Sequence, residues 1–190
     1  MQKFDTTQTS IGKFFDNKDT ILRVPLYQRE YSWTEENVEA LLEDIFSDES
    51  YFLGAFVLNN EYLKKEKTKD IVDGQQRILT LTILFAVLRD LFLELKDKTR
   101  SGKIQEGYIS NKDDDGHDHF KTIASNSARK FFEQYVQKEN TKIEEAEVKT
   151  KEESLVVNNY GIIKKTSFET ATRFPILSAL CTQISGTFFH

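Results

Sequence analysis

The apolar positions of the chain fall into three patterns, and each predicts a different element. Val38, Leu41, Leu42, Ile45 and Phe46 recur at i, i+3, i+4, i+7 and i+8, the single stripe of an amphipathic helix. Thr34 stands before that stripe as an N-cap, with Glu35 and Glu36 in the first turn, where carboxylates favour the positive end of the helix dipole. From Gln75 to about Lys96 the pattern changes: Ile78, Leu79, Leu81, Ile83, Leu84, Phe85, Val87, Leu88, Leu91, Phe92 and Leu95 leave almost no polar face. A helix apolar nearly all round belongs at the centre of a core, and charges bound this one too closely for a membrane span. The third pattern is short apolar runs. Ile21 to Val24 reads as extended, because Pro25 biases Val24 away from helix. Phe52 to Leu58 reads as a buried strand, and Ile71-Val72 restarts after a lysine-rich stretch from Glu61 to Asp70. Two strands joined by a hairpin, with the lysines in a solvated turn, is the economical expectation. Thr9 or Ser10 caps a short helix through Phe15.

Beyond Arg100 the patterning weakens. Tyr108-Ile109 and Phe120 to Ile123 predict a ribbon around an acidic turn at 111–119. Ser125, Asn126 or Ser127 caps a helix carrying Ala128, Phe131, Phe132, Tyr135 and Val136. Ten of the sixteen residues at 138–153 are charged, which predicts a solvated helix or a mobile insertion. Leu155 to Phe168 reads as helix. The final 17 residues, Phe174 to His190, carry no Asp, Glu, Lys or Arg, so they are expected to pack on the core or to mark the edge of a fragment. The texture divides the chain into an α+β core over 1–100 and a mainly helical, truncated extension over 101–190.

Composition narrows the setting and leaves the chemistry open. The single cysteine, Cys181, cannot form an internal disulfide, and MQKFDTTQTS lacks a secretory pattern, so a cytoplasmic protein without a membrane segment is expected. Cys181 sits without a histidine partner and reads as an inert thiol. With 26 Lys and Arg against 31 Asp and Glu, the net charge of −5 offers no global basic field; any nucleic acid must be met at a local patch.

Two clusters could carry chemistry. Asp70-Ile71-Val72-Asp73-Gly74-Gln75-Gln76-Arg77 runs from a strand end into the first turn of the central helix, where free N–H groups and the dipole attract anions. Gly74 allows close approach to the backbone, Arg77 offers a planar fork for phosphate oxygens, and Gln75 and Gln76 can position a phosphate or a water. Asp73 can hold Mg²⁺ or accept a proton. The competing reading is that Asp73 merely caps the helix and Arg77 pairs with a neighbouring charge. In the second cluster, Val24 to Trp33, Tyr27, Tyr31 and the only tryptophan, Trp33, flank Gln28 and Arg29. Aromatics interleaved with Arg and Gln can stack on bases and bind phosphates. They can equally be a loop packed on the core, with Arg29 paired to Glu35 or Glu36.

Taken together, Pro25, Tyr27, Gln28, Arg29, Tyr31 and Trp33, then Phe52-Leu53-Gly54, then Asp73 through Arg77, resemble the N-terminal, ParB-like domain of GmrSD-type restriction endonucleases. The likeness is firm over about residues 8–96, extends to about 165, and is not visible in the charge-free tail. It implies a ParB/sulfiredoxin-like core with a small mixed sheet and a central hydrophobic helix. It further implies an NTP with Mg²⁺ bound at the helix start, coupled to sensing of modified foreign DNA in a modification-dependent restriction or phage-defence system. Gly74, Gln75, Arg77 and Arg29 would then hold phosphate. Asp73, Gln75, Gln76 and Arg77 would serve NTP hydrolysis, and Tyr27, Gln28, Arg29, Tyr31 and Trp33 would form a DNA-sensing loop. His117, His119 and His190 form no HNH pattern, so the cutting domain of the longer relatives would be a missing C-terminal domain or a partner subunit. Two alternatives stand beside this: a modified-DNA-binding module without turnover, and a Mg²⁺-dependent nickase acting through Asp73. Asn111 to Gly116 begins like a calcium loop, but its twelfth position is Thr122 rather than Glu; it reads as an acidic solvated turn.

Overall fold

A computed structural model describes residues 5–17, 20–46, 52–59, 68–112, 118–125 and 127–173. The chain forms α1 (Ile11–Phe15), β1 (Ile21–Arg23), α2 (Glu35–Phe46), β2 (Val57–Asn59), β3 (Thr68–Asp73), α3 (Gln75–Glu94) and α4 (Lys98–Ile104). After these come β4 (Ser110–Lys112), β5 (Asp118–Phe120), β6 (Thr122–Ile123), α5 (Arg129–Phe131) and α6 (Lys151–Arg173). Four strands make a mixed sheet in the order β2-β3-β1-β6. β1 is parallel to β3 and β6, and β2 is antiparallel to β3. A separate antiparallel ribbon pairs β4 with β5. The class is α+β with a small mixed sheet, as expected.

The expected central helix is α3. From Gln75 to Phe92 every residue except Arg77 and Asp90 is buried. It packs against α4 and α6, and α6 also packs on α2. Ile78, Leu81, Leu84, Phe85 and Leu88 join Phe15, Leu22 and Ile71 from the first half of the chain and Phe132, Val156 and Ile163 from the second in one apolar cluster. Removing a buried leucine side chain such as that of Leu84 costs about 2–5 kcal/mol in such surroundings. β6 and α6, both from beyond residue 100, thus complete the sheet and the core that hold α3.

Ser10 caps its helix as expected, whereas the helix expected behind Ser125, Asn126 or Ser127 starts after Ala128 without a side-chain cap and passes into a π-helical turn at Phe132–Gln137. Ser10 Oγ accepts from the Lys13 N–H and starts α1. α2 begins after Thr34, whose carbonyl accepts from the N–H groups of Asn37 and Val38; Asn37 Oδ1 in turn accepts from the Thr34 N–H at 3.1 Å. α6 opens with a reciprocal cap: Thr150 Oγ1 accepts from the Glu153 N–H at 3.1 Å, and Glu153 Oε2 accepts from the Thr150 N–H at 2.9 Å.

Four further expectations are corrected. Only Val57 to Asn59 of the apolar run at 52–58 pairs as a strand. Ahead of it Gly54 takes φ +92°, and the carbonyls of Leu53 and Ala55 turn to the Arg77 guanidinium, which an extended strand would not allow. Tyr108-Ile109 is not a strand: residues Gln105–Ile109 form a π-helical turn, and the ribbon starts at Ser110. Phe120 to Ile123 is divided, Phe120 closing the ribbon and Thr122-Ile123 joining the main sheet beside β1. The charged stretch 138–153 is exposed over most of its length but is not a solvated helix: it carries a 3₁₀ turn at Ile143–Glu145 and ends in α6 with Glu152 and Glu153 buried. The lysine-rich turn, most of the acidic turn with His117, and the tail with Cys181 and His190 lie outside the described residues.

One polar knot is closed inside this core. Arg89 is fully buried, pairs with Asp90 at 2.7 Å, and donates to Gln105 Oε1 at 2.8 Å and the Gln137 carbonyl at 3.1 Å. Tyr160 on α6 donates to Asp90 Oδ2 at 2.6 Å; burial and the adjacent Asp90 carboxylate push its phenol upward. Lys121, also buried, donates to the Phe15 carbonyl at 2.9 Å.

Candidate functional site

β3 runs directly into α3, and the hinge between them is Gly74, at φ 90° and ψ 8°. That left-handed conformation suits glycine, and a Cβ there would also meet the Phe56 ring. Gly74 caps the helix without any side-chain bond, so Asp73 is not a helix cap. The first-turn N–H groups of α3 therefore lack side-chain acceptors at the positive end of a 20-residue helix.

The aromatic loop folds over this end of α3 and is held by the two glutamines. Gln75 Nε2 donates to the Arg29 carbonyl, and Gln76 Nε2 donates to the Glu30 carbonyl at 3.0 Å. Gln76 Oε1 accepts from the Ser32 N–H at 2.8 Å, and Gln28 Nε2 reaches the Val72 carbonyl at 2.9 Å. Both box glutamines are buried and make three hydrogen bonds to loop backbone, while Gln75 Oε1 has no partner among the described residues.

Arg77 faces the opposite wall. Its guanidinium donates to the Leu53 carbonyl and, at 3.1 Å, to the Ala55 carbonyl, and lies 5.2 Å from the Phe56 ring centroid. A Cβ on Gly54 would occupy the space of this guanidinium. The Phe-Leu-Gly segment and the Asp-Gly-Gln-Gln-Arg box thus interlock: Gly54 admits Arg77, and Gly74 admits Phe56. Arg77 pairs with carbonyls, not with a neighbouring charge.

Between the loop and the helix start lies an open cavity of about 210 Å³. It is lined by Gln28, Arg29 and Trp33 from the loop and by Val72, Asp73, Gly74, Gln75, Gln76 and Arg77 from the strand–helix junction. Arg29 is exposed and makes no ion pair with Glu35 or Glu36 or with any other described residue. Asp73 is likewise exposed and without a side-chain partner among the described residues. One unpaired cation and one unpaired carboxylate thus line the same cavity.

Two members of the expected loop do not reach it. Tyr27 stands out in solvent at 72% exposure, beside Leu26 at 80%. Tyr31 is buried, its hydroxyl bonded to Thr80 Oγ1 at 2.8 Å and accepting from Asn159 Nδ2 at 2.9 Å. Burial pushes its phenol up to about 12, the two hydrogen bonds opposing that rise. Sequence reasoning missed Thr80, Glu152 and Asn159, which hold Tyr31 in place. The Thr150-x-x-Glu153 capping pattern signals where α6 starts, but no local signal turns Glu152 inward.

No group of three or more His, Cys, Asp or Glu among the described residues is arranged to hold a metal. A single carboxylate, Asp73, fits a Mg²⁺ that brings phosphate and water as its other ligands, because Mg²⁺ usually keeps several waters and takes only one or two protein carboxylates. Among the described residues no helix is long and apolar enough to cross a membrane.

The fold and the cavity define a small α+β protein with an open, polar-lined pocket at the start of its central helix. Residues 11–183 match the model of the GmrSD restriction endonuclease N-terminal domain, and the chain belongs to that family. Membership makes it a component of a restriction, or phage-defence, system. The match runs past residue 173 into the charge-free segment, where the sequence motifs carried no likeness. No curated protein matches the chain.

Proposed function

We propose that the cavity between the aromatic loop and the start of α3 binds the phosphates of a nucleoside triphosphate with Mg²⁺. The observation that carries this reading is that Arg29 and Asp73 line one cavity without side-chain partners among the described residues, beside the positive end of α3. A ligand that bears both an anion and a cation satisfies the pair, and a phosphate-bound Mg²⁺ is such a ligand. The first-turn N–H groups would take phosphate oxygens, Arg29 would neutralise charge at the mouth, and Asp73 would hold one position on Mg²⁺ or orient an attacking water. Gln75, Gln76 and Arg77 serve by shaping the cavity walls, and Trp33 offers a face for the base. On this reading the domain has a ParB-like core and acts in the cytoplasm. There it couples NTP binding and hydrolysis to the sensing of modified DNA, with cleavage supplied by a nuclease domain or partner subunit.

Isothermal titration with ATP, GTP, CTP and UTP in Mg²⁺ tests it. Saturable binding of at least one nucleotide, weakened about tenfold or more by Arg29→Ala, is expected; no binding by any of the four ends the reading. Direct DNA binding without turnover is a second reading, favoured by the exposure of Tyr27 and Leu26 at the tip of the same loop. It predicts retention of modified duplex DNA that is lost on Tyr27→Ala, with no phosphate release. The exposed Glu35, Glu36, Glu39 and Glu43 of the adjoining α2 repel a duplex backbone, which ranks it second.

A further inference from the structure

The pocket loop is gripped from two sides, and only one grip lies in the motif that marks the site. From α3, Gln75 and Gln76 hold the carbonyls of Arg29 and Glu30 and the N–H of Ser32. From α6, more than a hundred residues further along the chain, Glu152 and Asn159 hold the residues between and beyond. Glu152 Oε1 accepts from the Tyr31 N–H at 2.7 Å and from Ser125 Oγ at 2.6 Å, while Oε2 accepts from Ser127 Oγ at 2.5 Å. Asn159 Nδ2 donates to the Tyr31 hydroxyl and to the Trp33 carbonyl, each at 2.9 Å. The chain of bonds then continues through Thr80 Oγ1 to the Gln76 carbonyl at 2.9 Å, back in the first turns of α3.

We propose that Glu152 and Asn159 are positioning residues of this pocket: through Tyr31 and the Trp33 carbonyl they fix the loop that carries Gln28, Arg29 and Trp33 into the cavity. The spacing of seven residues puts both on one face of α6, two turns apart. Glu152 lies in the first turn of α6, where the helix dipole and three donors balance the cost of burying a carboxylate. Both side chains are almost wholly enclosed, Glu152 at 2% and Asn159 at 0% exposure, so neither is free to touch a ligand. Their effect reaches the pocket only through the loop. The groups facing Glu152 are the Tyr31 N–H and the hydroxyls of Ser125 and Ser127, all donors, which an ionised carboxylate satisfies and an alanine leaves unmet. The structural claim stands apart from any ligand; its consequence for nucleotide affinity rests on the reading above.

Trp33 is the only tryptophan, so its fluorescence reports this loop alone. In the ligand-free full chain, Glu152→Ala and Asn159→Ala are expected to raise acrylamide quenching of Trp33 about twofold while far-UV circular dichroism stays native. Loss of one or two such bonds weakens Mg²⁺–nucleotide binding up to about tenfold. Glu152→Gln keeps an oxygen for the Tyr31 N–H and is expected to restore both signals to near wild type. Ile163→Ala, a buried α6 residue one turn beyond Asn159, is the control: it lowers stability and leaves Trp33 quenching unchanged. Should Glu152→Ala not fold, Asn159→Ala decides alone, since it removes two donor bonds and no charge. Unchanged quenching in folded Glu152→Ala or Asn159→Ala, or an equal change in Ile163→Ala, overturns the proposal. If the quenching changes as expected while the wild-type chain binds no nucleotide, the positioning stands and the nucleotide reading falls.

Discussion

Arg77 and Arg89 sit on the same helix twelve residues apart and make opposite use of the same side chain. Arg89 is fully buried, and its donors meet the carboxylate of its neighbour Asp90 and, from two further stretches of chain, the Gln105 amide oxygen and the Gln137 carbonyl. It closes the core. Arg77, half-buried, gives its donors to the Leu53 and Ala55 carbonyls and stacks near Phe56, holding open one wall of a cavity. The difference lies in what surrounds each. Where polar groups are matched inside the core, they specify packing; where loop backbone is tied back by α3, a space is left with Arg29 and Asp73 unpaired among the described residues. An arginine in a first helical turn is therefore no sign by itself of a phosphate ligand, and Arg29 is the better candidate here.

The largest expected effect is that of Arg89→Ala, which leaves the Asp90 carboxylate beside Tyr160 without its cation and should lower stability in urea by about 3–5 kcal/mol. Arg77→Ala should cost the fold about 1–2 kcal/mol while weakening nucleotide binding; equal destabilisation by the two would erase the distinction drawn here.

Tyr31 sharpens the same contrast through pH. Its phenol is pushed up from 10.0 to about 12 in the fold. The folded state therefore holds the proton more tightly, so this stability is fully present below pH 10 and is lost as pH rises toward 12. The expected loss is roughly 2–3 kcal/mol across that window. Tyr31→Phe should flatten the decline in an alkaline denaturation series; Tyr160 and Lys164, raised in the same direction, contribute to the part that persists.

Gly74→Ala should cost about 1–3 kcal/mol, because an L-residue at φ 90° is strained and its Cβ meets Phe56. Differential scanning calorimetry reads it directly. The smallest effect is expected at the exposed Arg129–Glu133 pair at 2.8 Å, where Arg129→Ala should change stability by no more than about 0.5 kcal/mol.

Much of the fold was legible because local patterns and tertiary packing agree. The stripe on α2, the all-round apolar α3, the Ser10 cap and the β2–β3 pairing each follow from periodicity or capping. The failures sit where side chains from elsewhere claim the backbone. Phe52 to Phe56 has strand-like composition, yet Arg77 takes two of its carbonyls and Gly54 breaks its extension. Glu152 lies in a run of charges that reads as solvated, and only donors from Tyr31, Ser125 and Ser127 make its burial tolerable. At the site, Gln28, Arg29, Trp33 and the whole box do converge on one cavity. Tyr31 does not, because a hydroxyl that reaches Thr80 draws the ring into the core, a pairing 49 residues apart that no local spacing reveals.

On the proposed function, ligand phosphate meets the first turn of α3. Amide chemical-shift mapping by NMR, titrating the ¹⁵N-labelled chain with Mg²⁺ and the nucleotide that binds, tests it most directly. The largest shifts are expected on the N–H groups of Gly74, Gln75, Gln76 and Arg77, with Arg29 and Trp33 next. Saturable binding that leaves those four amides unmoved, or the absence of any shift at millimolar nucleotide, would contradict it.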